Sequence, residues 1–307
     1  MRNPKSWLSV AVALVSAATV AACGSSSSNS TSTTSSTPTT TSSTSSAAIP
    51  QVEALVPPSI KKKGTLTVAS DATYAPDEFI GPDGHTVVGM DADLAKALGA
   101  VMGLKVNVVN ATFVTIIPGL AAGRYDMGAS SFTDTKAREK TVDFVDYANV
   151  GESFYTKASG GVSIASIADI CGKTVSVESS TTEESDAKTQ SGKCTKAGKP
   201  AVKVLVFDKQ TDANLAVSSG RAQLGFADTP VAYYQVKQSH GLFKIVGAPY
   251  AAAPYGLAVP KNGLDKAVLG ALIALDRLGT YQKIFAKWGL QGIEIPESKM
   301  KINGAIS

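Results

Sequence analysis

Short β-branched or apolar runs alternate with amphipathic stretches along most of the chain, and this pattern predicts strands separated by helices. Residues 63–69 and 105–109 have the composition of strands. Between them lies an amphipathic helix that Asp91 can cap at its start, and residues 113–122 predict a second helix. A strand–helix–strand–helix order is typical of an α/β unit with parallel strands.

A second unit with the same alternation begins near residue 163. Two stretches, 151–157 and 250–258, are placed to connect the two units, so we predict two α/β lobes. Further strands are predicted at 173–178, 202–207, 223–227 and 243–246, an extended piece at 254–260, and further helices at 183–190, 212–219, 231–238, 264–278 and 280–288.

The N-terminus carries the pattern of an export signal. A basic region with Arg2 and Lys5 precedes an apolar run at residues 8–20, which is too short to span a membrane stably. The small residues before Cys23 resemble the lipobox of bacterial lipoproteins, in which the cysteine is diacylated and becomes the first residue. We therefore predict a lipoprotein signal peptide at 1–22 and an extracytoplasmic protein that a lipid on Cys23 anchors to the cell membrane. The alternative is an unmodified secretory signal that is cleaved nearby.

The stretch after Cys23 predicts a disordered tether. Residues 24–48 are almost entirely Ser and Thr, so they cannot bury a core. We place this tether at 23–59. About 250 residues then remain for the folded part, which is enough for two lobes with cores of their own.

Charge and cysteine content argue against several classes of function. The formal net charge is +4, but positive and negative residues are mixed without a basic stripe, so nucleic-acid binding is not indicated. With two His residues and no Cys-x-x-Cys pair, the sequence indicates neither a metal site nor a cofactor. Once Cys23 is lipidated, Cys171 and Cys194 remain, and in an oxidising compartment we predict that they form a disulfide. Two separate buried thiols are the alternative.

The segment from Ser130 to Arg138 predicts an anion-binding site. Its hydroxyl-bearing residues, with Ser131 and Thr133 among them, lie between a short apolar strand and a charged stretch at 136–142 that predicts a helix. Free backbone N–H groups and the dipole at a helix N-terminus favour negative charge, and the guanidinium of Arg138 matches a carboxylate. The alternative is an ordinary helix with Arg138 on a solvated face.

An internal similarity indicates where a complementary site lies. Residues 120–130 and 217–227 share a pattern of helix end, Gly-Arg turn and strand. The similarity puts Ser130 and Asp228 at matching strand ends of the two lobes. One lobe then offers donors for a carboxylate and the other an acid for an amine. Asp71 follows the first strand, at the end of the sheet where open α/β proteins bind ligands.

Short motifs follow one another in a fixed order across residues 60–290. They are Asp71-x-Thr-Tyr74-Ala-Pro76, Gly89-Met-Asp-x-Asp-Leu-Ala, Ile117-Pro118-Gly-Leu, Ser130-Ser131-Phe-Thr133-x-Thr-x-x-Arg138, Val142-Asp-Phe, Thr181-Thr182, Ala227-Asp228-Thr229-Pro230 and Gly279-Thr-Tyr-x-x-Ile. In this order and spacing they make the chain resemble the polar amino-acid-binding proteins of ABC importers, solute-binding protein family 3. The resemblance implies a two-lobed, type II periplasmic-binding-protein-like α/β fold with two hinge strands and a ligand cleft. The implied boundaries are 60–154 for the first part of lobe 1, 155–250 for lobe 2, and 251–307 for the return segment and C-terminal helices.

The resemblance also implies how the two charged groups of an amino acid are bound. Arg138 would grip the α-carboxylate, helped by Ser131, Thr133 and Thr182, and Asp228 would take the α-ammonium. This agrees with the residues themselves, because a zwitterion needs one anion site and one cation site close together and shielded from water. The predicted ligand-binding set is Asp71, Tyr74, Phe113, Ser130, Ser131, Thr133, Arg138, Thr181, Thr182 and Asp228.

For the ligand side chain, the resemblance places Tyr74 and Phe113 on its two flanks and Asp71 at its polar end. An aromatic pair can hold an alkyl stem or a flat guanidinium. Alternatively, Asp71 caps a turn and Phe113 belongs to the core.

The chain departs from the family pattern at three positions. Asp77 stands where an aromatic residue usually follows the Tyr-x-Pro turn, and Ser180 replaces a Gly commonly found before the Thr-Thr pair. Glu178 stands where Gln or Lys is often found. Asp77 and Glu178 are therefore candidates for side-chain specificity, unless they point to solvent. Together with Asp71 they favour a cationic ligand side chain.

The resulting hypothesis is a lipid-anchored, monomeric receptor that captures a polar amino acid and delivers it to an ABC permease and its ATPase. A basic amino acid is favoured, and glutamine comes second because an amide can also donate to Asp71. One alternative is a dehydratase-like enzyme on the same fold, although no His occupies a motif position to serve as a general base. Another alternative is a ligand sensor for a signalling partner.

Overall fold

The computed structural model describes residues 48–306, which contain eleven strands and nine α-helices. The strands are β1 (Thr65–Ser70), β2 (Thr73–Tyr74), β3 (Glu78–Ile80), β4 (Val87–Val88), β5 (Lys105–Asn110), β6 (Met127–Gly128), β7 (Asp143–Lys157), β8 (Thr174–Glu178), β9 (Lys203–Phe207), β10 (Leu224–Asp228) and β11 (Phe243–Val259). The helices are α1 (Pro50–Glu53), α2 (Pro58–Lys63), α3 (Met90–Val101), α4 (Phe113–Ala121), α5 (Thr182–Lys196), α6 (Gln210–Ser218), α7 (Thr229–Gln238), α8 (Leu264–Arg277) and α9 (Thr280–Trp288).

Eight strands form one sheet in the order β5-β1-β6-β11-β7-β10-β8-β9. β1 runs parallel to β5 and β6, and β8 runs parallel to β9 and β10. The central strands, β7 and β11, are antiparallel and long, with 15 and 17 residues. We call the half of the molecule that contains β1 lobe 1 and the half that contains β8 lobe 2.

β7 and β11 both pass through the two lobes, so this pair is the connection between them. The stretches predicted to connect the lobes, 151–157 and 250–258, lie within these two strands. The structure therefore confirms the predicted α/β class and its two-lobed form, whereas the exact residue boundaries of the lobes stay predictions.

Two apolar clusters cover the two faces of the sheet in lobe 1. One contains Leu94 of α3 and Phe285 of α9, and the other contains Ile116 of α4. Val68 belongs to the first cluster and its neighbour Ala69 to the second, and successive strand residues point to opposite faces. Within the part of the chain that the structure describes, no helix is long and apolar enough to cross a membrane.

The predicted tether at 23–59 is wrong at its C-terminal end. α1 lies inside the predicted tether, and α2 crosses its end at residue 59. Val52, Val56 and Ile60 are buried in the core of lobe 1. Val52 lies on α1, Ile60 lies on α2, and Val56 lies in the bend between the two helices. The predicted signal peptide and the lipidated Cys23 lie outside the described residues.

Cys171 and Cys194 form a disulfide in lobe 2, as predicted. Cys194 is buried on α5, and Cys171 follows a short 3-10 helix at Ile167–Ile170. The bond closes a loop that contains Thr181 and Thr182, so it restrains the segment that carries two of the predicted ligand donors.

The segment after α9 completes the sheet of lobe 1. The N–H of Asn149 donates to the carbonyl of Ile293 at 2.9 Å, and Val145 forms an isolated β-bridge with Ile302. These contacts cover the edge of β7 in lobe 1, just as β10 covers it in lobe 2. The long central strand is therefore paired along both edges, which removes an exposed template for association.

Two carboxyl groups meet beside this segment. Asp134 and Asp146 are each about 1% exposed, and their side chains lie within hydrogen-bonding reach of each other. Burial first, and then the charge of Asp134, raises the pKa of Asp146 to about 8. A hydrogen bond between two carboxyl groups requires one proton, so the pair shares a proton near neutral pH.

We predict that Asp146→Asn stabilises the protein in alkaline solution. Because the pKa of Asp146 is raised on folding, the folded state binds a proton more tightly than the unfolded chain, and the free energy of unfolding falls as pH rises from about 4 to about 8. An amide carries no negative charge at any pH. We expect the variant to gain about 1–2 kcal/mol near pH 8.5 in urea unfolding.

Asp143→Asn is the matched control on the same strand. Burial would raise the pKa of Asp143, but hydrogen bonds from Asn303 and Lys261 outweigh it and lower the pKa. Removal of this charge should therefore cost stability at the same pH. If Asp146→Asn were destabilising to the same extent, the shared proton would be refuted.

Candidate ligand-binding site

A buried carboxylate holds the loop that follows β6. Ser131 has a left-handed backbone with φ = 48°, and its N–H donates to Asp91 Oδ2 at 2.7 Å. The hydroxyl of Tyr147 donates to Asp91 Oδ1, also at 2.7 Å. The prediction that Asp91 caps α3 is therefore wrong, because the helix starts at Met90 and Asp91 lies in its first turn, fully buried against the loop.

The hydroxyl groups of this loop face further carboxyl groups. Ser130 Oγ accepts from the N–H of Asp71 at 2.9 Å and donates to Glu78 Oε1 at 2.9 Å. Ser131 Oγ lies 3.1 Å from Asp77 Oδ2 and 3.2 Å from Glu78 Oε2, and it can donate to either. Asp77 is fully buried behind Ser131 and does not line the cavity described below, which corrects its predicted place beside the ligand side chain.

Arg138 reaches across from lobe 1 to lobe 2. Its Nη1 donates to the carbonyl of Thr133 at 2.7 Å, and its Nη2 donates to the carbonyl of Ser180 at 2.9 Å. The guanidinium carbon lies 5.4 Å from the centre of the Phe113 ring, a favourable cation–π distance. The predicted helix at 136–142 is wrong: only a three-residue 3-10 turn forms around Arg138, because the chain enters β7 directly afterwards.

The helix N-terminus at this site belongs to α5 in lobe 2. Thr181 is its N-cap, and its hydroxyl oxygen accepts from the N–H of Glu184 at 3.2 Å. Thr182 Oγ1 lies 3.4 Å from Thr133 Oγ1 on the opposite side of the cleft. The first turn of α5 therefore offers free backbone donors and a favourable dipole to an anion near Arg138.

Tyr74 and Asp228 form a further contact across the cleft. The hydroxyl of Tyr74 donates to Asp228 Oδ2 at 2.9 Å and accepts from the N–H of Asp228 at 3.0 Å. Asp228 ends β10, as the sequence predicts, and is 5% exposed. Burial raises its pKa to about 6, although Tyr74 and Arg138 favour the charged form.

These groups line a cavity between the lobes. Glu178 and all ten residues predicted to bind ligand line it, namely Asp71, Tyr74, Phe113, Ser130, Ser131, Thr133, Arg138, Thr181, Thr182 and Asp228.

Sequence analysis missed two lining residues, Glu78 and Glu183. Both are about 2% exposed or less, and burial raises the pKa of each well above its ordinary range. Glu78 stands four residues after Tyr74, and Glu183 follows the Thr181–Thr182 pair directly. Adjacency to motif positions was the available signal, but charged residues beside motifs usually face solvent.

Five carboxyl groups and one guanidinium line the cavity. A further carboxyl, Glu152 of β7, lies close by, and burial followed by the charge of Asp228 raises its pKa to about 9. A cationic ligand group matches this lining best, because its positive charge would reduce the repulsion among the buried carboxyl groups. The carboxyl groups of the lining are Asp71, Glu78, Glu178, Glu183 and Asp228, and the guanidinium is Arg138.

Comparison with known proteins agrees with this geometry. Residues 66–291 match the family described as bacterial extracellular solute-binding proteins, family 3, and the chain belongs to that family. An arginine-binding protein of Corynebacterium glutamicum is 34% identical over 245 residues, which cover 79% of this chain and 80% of the relative.

Two solved structures have the same fold at a TM-score of 0.68. One is an ancestral arginine-binding protein bound to arginine, which is 38% identical and is matched over 73% of this chain and 98% of that one. The other is an ancestral arginine-binding protein bound to glutamine, which is 37% identical with coverages of 74% and 98%.

We predict that Ser180→Gly stabilises the protein. Ser180 has φ = 66°, a conformation that costs a residue with a Cβ roughly 1–2 kcal/mol, whereas Gly adopts it freely. Gly also gives the unfolded chain more conformational entropy, which lowers the free energy of unfolding by roughly 0.5–1 kcal/mol. We therefore expect the free energy of unfolding to rise by about 0.5–1 kcal/mol in urea unfolding.

Ser179→Gly is the control, because the neighbouring residue is not left-handed and the entropy cost then stands alone. Equal destabilisation by the two changes would show that Ser180 is unstrained. Ligand affinity should change little in either variant, because the Ser180 carbonyl that accepts from Arg138 is retained.

Proposed function

We propose that this chain is an extracytoplasmic substrate-binding protein that captures a basic amino acid, arginine first, for an ABC importer. The observation that carries the proposal is the cavity between the lobes, in which five carboxyl groups face one guanidinium. The arginine-binding relatives support the same choice of ligand. Glutamine is the second candidate, since an amide N–H₂ group can also donate to a carboxylate.

Arg138 and Asp228 bind the α-groups of the ligand in this proposal. The α-carboxylate lies between the guanidinium of Arg138 and the first turn of α5, and the α-ammonium lies against Asp228. Because Arg138 belongs to lobe 1 and Asp228 to lobe 2, an amino acid is gripped from both sides when the lobes close. Its binding energy then stabilises the closed form relative to the open one.

The ligand side chain points away from these groups, toward Asp71 and Glu178. Phe113 provides an aromatic wall nearby and stacks on Phe132 with ring centres 4.6 Å apart. A flat guanidinium can lie on such a wall while its edge donates to carboxylates. An anionic side chain would instead meet like charge in a partly desolvated site.

The chain delivers its ligand to a membrane permease and its ATPase, and Cys23 carries the lipid that keeps it at the membrane. Lipid anchoring is part of the proposal and rests on the residues before Cys23. Mass spectrometry of the N-terminal peptide from membranes tests it. A diacylated Cys23 is expected, and an unmodified N-terminus at another residue would overturn the anchor without affecting the binding role.

The proposed ligand order is arginine, then glutamine, then glutamate. Calorimetric titration of the purified protein should give the tightest dissociation constant for arginine, with lysine and ornithine compared alongside. Each tenfold difference corresponds to about 1.4 kcal/mol, so the order is easily resolved. Tighter binding of glutamate than of arginine would overturn the proposal.

Arg138 and Asp228 should each be essential for affinity. Arg138→Lys is expected to weaken arginine binding about 10²-fold or more, because an ammonium cannot reproduce the planar fork that spans two acceptors. Asp228→Asn should have a similar effect, since it leaves the α-ammonium without a counter-charge. Calorimetry measures both changes.

Lys140→Ala is the control for Arg138. Lys140 is exposed, stands two residues along the same 3-10 turn, and carries the same charge. Its removal should leave affinity within about twofold. Near-native affinity in Arg138→Lys would show that Arg138 does not bind the ligand.

A further inference from the structure

One carboxyl group from each lobe meets at the side-chain end of the cavity. Asp71 follows β1 in lobe 1, and Glu178 is the last residue of β8 in lobe 2. Each is about 2% exposed, and their side chains lie within hydrogen-bonding reach of each other. The two acids come from opposite lobes and line the same cavity.

The two acids differ in how well their oxygen atoms are supported. Asp71 Oδ1 accepts from the hydroxyl of Thr73 at 2.8 Å, and Asp71 Oδ2 accepts from the N–H of Phe113 at 2.7 Å. No donor from residues 48–306 reaches Glu178 Oε1, although that side chain lines the cavity. The local hydrogen bonds therefore favour Asp71 as the anion and Glu178 as the acid that holds a proton.

The charged groups around Asp71 and Glu178 do not neutralise the negative charge of the pair. Asp228 and the exposed Asp208 add negative charge at Glu178, and burial first and the charge of Asp71 last among its causes raise the pKa of the neighbouring Glu78. Tyr74 and Glu183 also face this region across the cavity. The cations nearby are Arg138, which donates to two backbone carbonyls, and the exposed Lys209, which lines an outer opening beside Asp71.

We propose that Asp71 and Glu178 act as a charge gate, in which a cationic ligand side chain displaces the proton that the pair otherwise needs when the lobes close. The proposal rests on the proposed function and deepens it. It makes Glu178 the residue that selects a charged side chain over a neutral one of the same shape. The displaced proton passes to bulk solvent, so that two carboxylates from opposite lobes hold one cation.

Arginine and citrulline provide the test, because they share their α-groups and differ in a guanidinium against a neutral urea group. Protons released at the Asp228 end are common to both ligands and cancel in the comparison. Below the pH at which both Asp71 and Glu178 ionise, binding of arginine should therefore release about one proton more from the protein than binding of citrulline. Its affinity should rise with pH over that range, whereas the affinity of citrulline should stay level or fall.

The experiment is calorimetry of both ligands in buffers of different ionisation enthalpy, at about pH 5.5, 7 and 8.5. In the native protein we expect the extra proton and a preference for arginine. In Glu178→Gln, which resembles the protonated acid in shape, the extra proton should disappear and the preference should fall at least about tenfold. Asp208→Asn is the control, because it removes a nearby exposed carboxylate that does not line the cavity.

Each result decides between the two proposals. Equal proton release by the two ligands in the native protein, or an unchanged preference in Glu178→Gln, overturns the gate and leaves the binding function intact. Failure of the native protein to bind any amino acid overturns both. If Glu178→Gln does not fold, as judged by circular dichroism, Asp71→Asn decides the question, and it should lose the same extra proton.

Discussion

Negative charge buried between the two lobes is the constraint on which the rest of the site depends. Five carboxyl groups line a small cavity that contains one guanidinium, and Asp77, Asp91 and Glu152 lie just behind it. In such a desolvated place, like charges cannot all remain ionised. The surrounding hydroxyl groups of Ser130, Ser131 and Tyr74 donate to these acids, which lowers the cost but does not supply a positive charge. In the proposed function, the cationic side chain of the ligand supplies that charge.

Several of the contacts that join the lobes are polar, and Tyr74 of lobe 1 also packs into an apolar cluster of lobe 2. Arg138 donates to a carbonyl of the opposite lobe, Tyr74 bonds to Asp228, and the N–H of Gln210 donates to the Thr73 hydroxyl at 3.2 Å. Hydrogen bonds of this kind contribute roughly 0.5–1.5 kcal/mol each and replace bonds to water in the open form. These hydrogen bonds therefore add little net stability to the closed form, and a ligand can shift the balance between the two forms.

Sequence analysis located β1, β5, β8, β9, β10 and the helices α3 to α9 because their hydrophobic periods are regular, but it did not predict the short strands β2 to β4 or the helices α1 and α2. It placed the ten lining residues because the motifs give their order. It failed at 136–142, where the turn is fixed by the side chain of Arg138 and by the start of β7. It also divided β11 in two, because Pro249 and Pro254 look like strand breakers although pairing with β7 spans them. Glu78 and Glu183 were missed because charged residues beside motifs usually face solvent, whereas the fold buries both along the cavity.

The order of the strands along the chain bears on how much of it each lobe needs. β8, β9 and β10 of lobe 2 lie together within residues 174–228, so one continuous stretch supplies this arm of the sheet. Lobe 1 instead combines β1, β5 and β6 with the second half of β11 and a segment that reaches Ile302. Its sheet therefore needs the last part of the chain. A chain cut before Ile302 would leave an edge of β7 uncovered in the half of the site that contains Arg138, whereas the half that contains Asp228 would keep its strands.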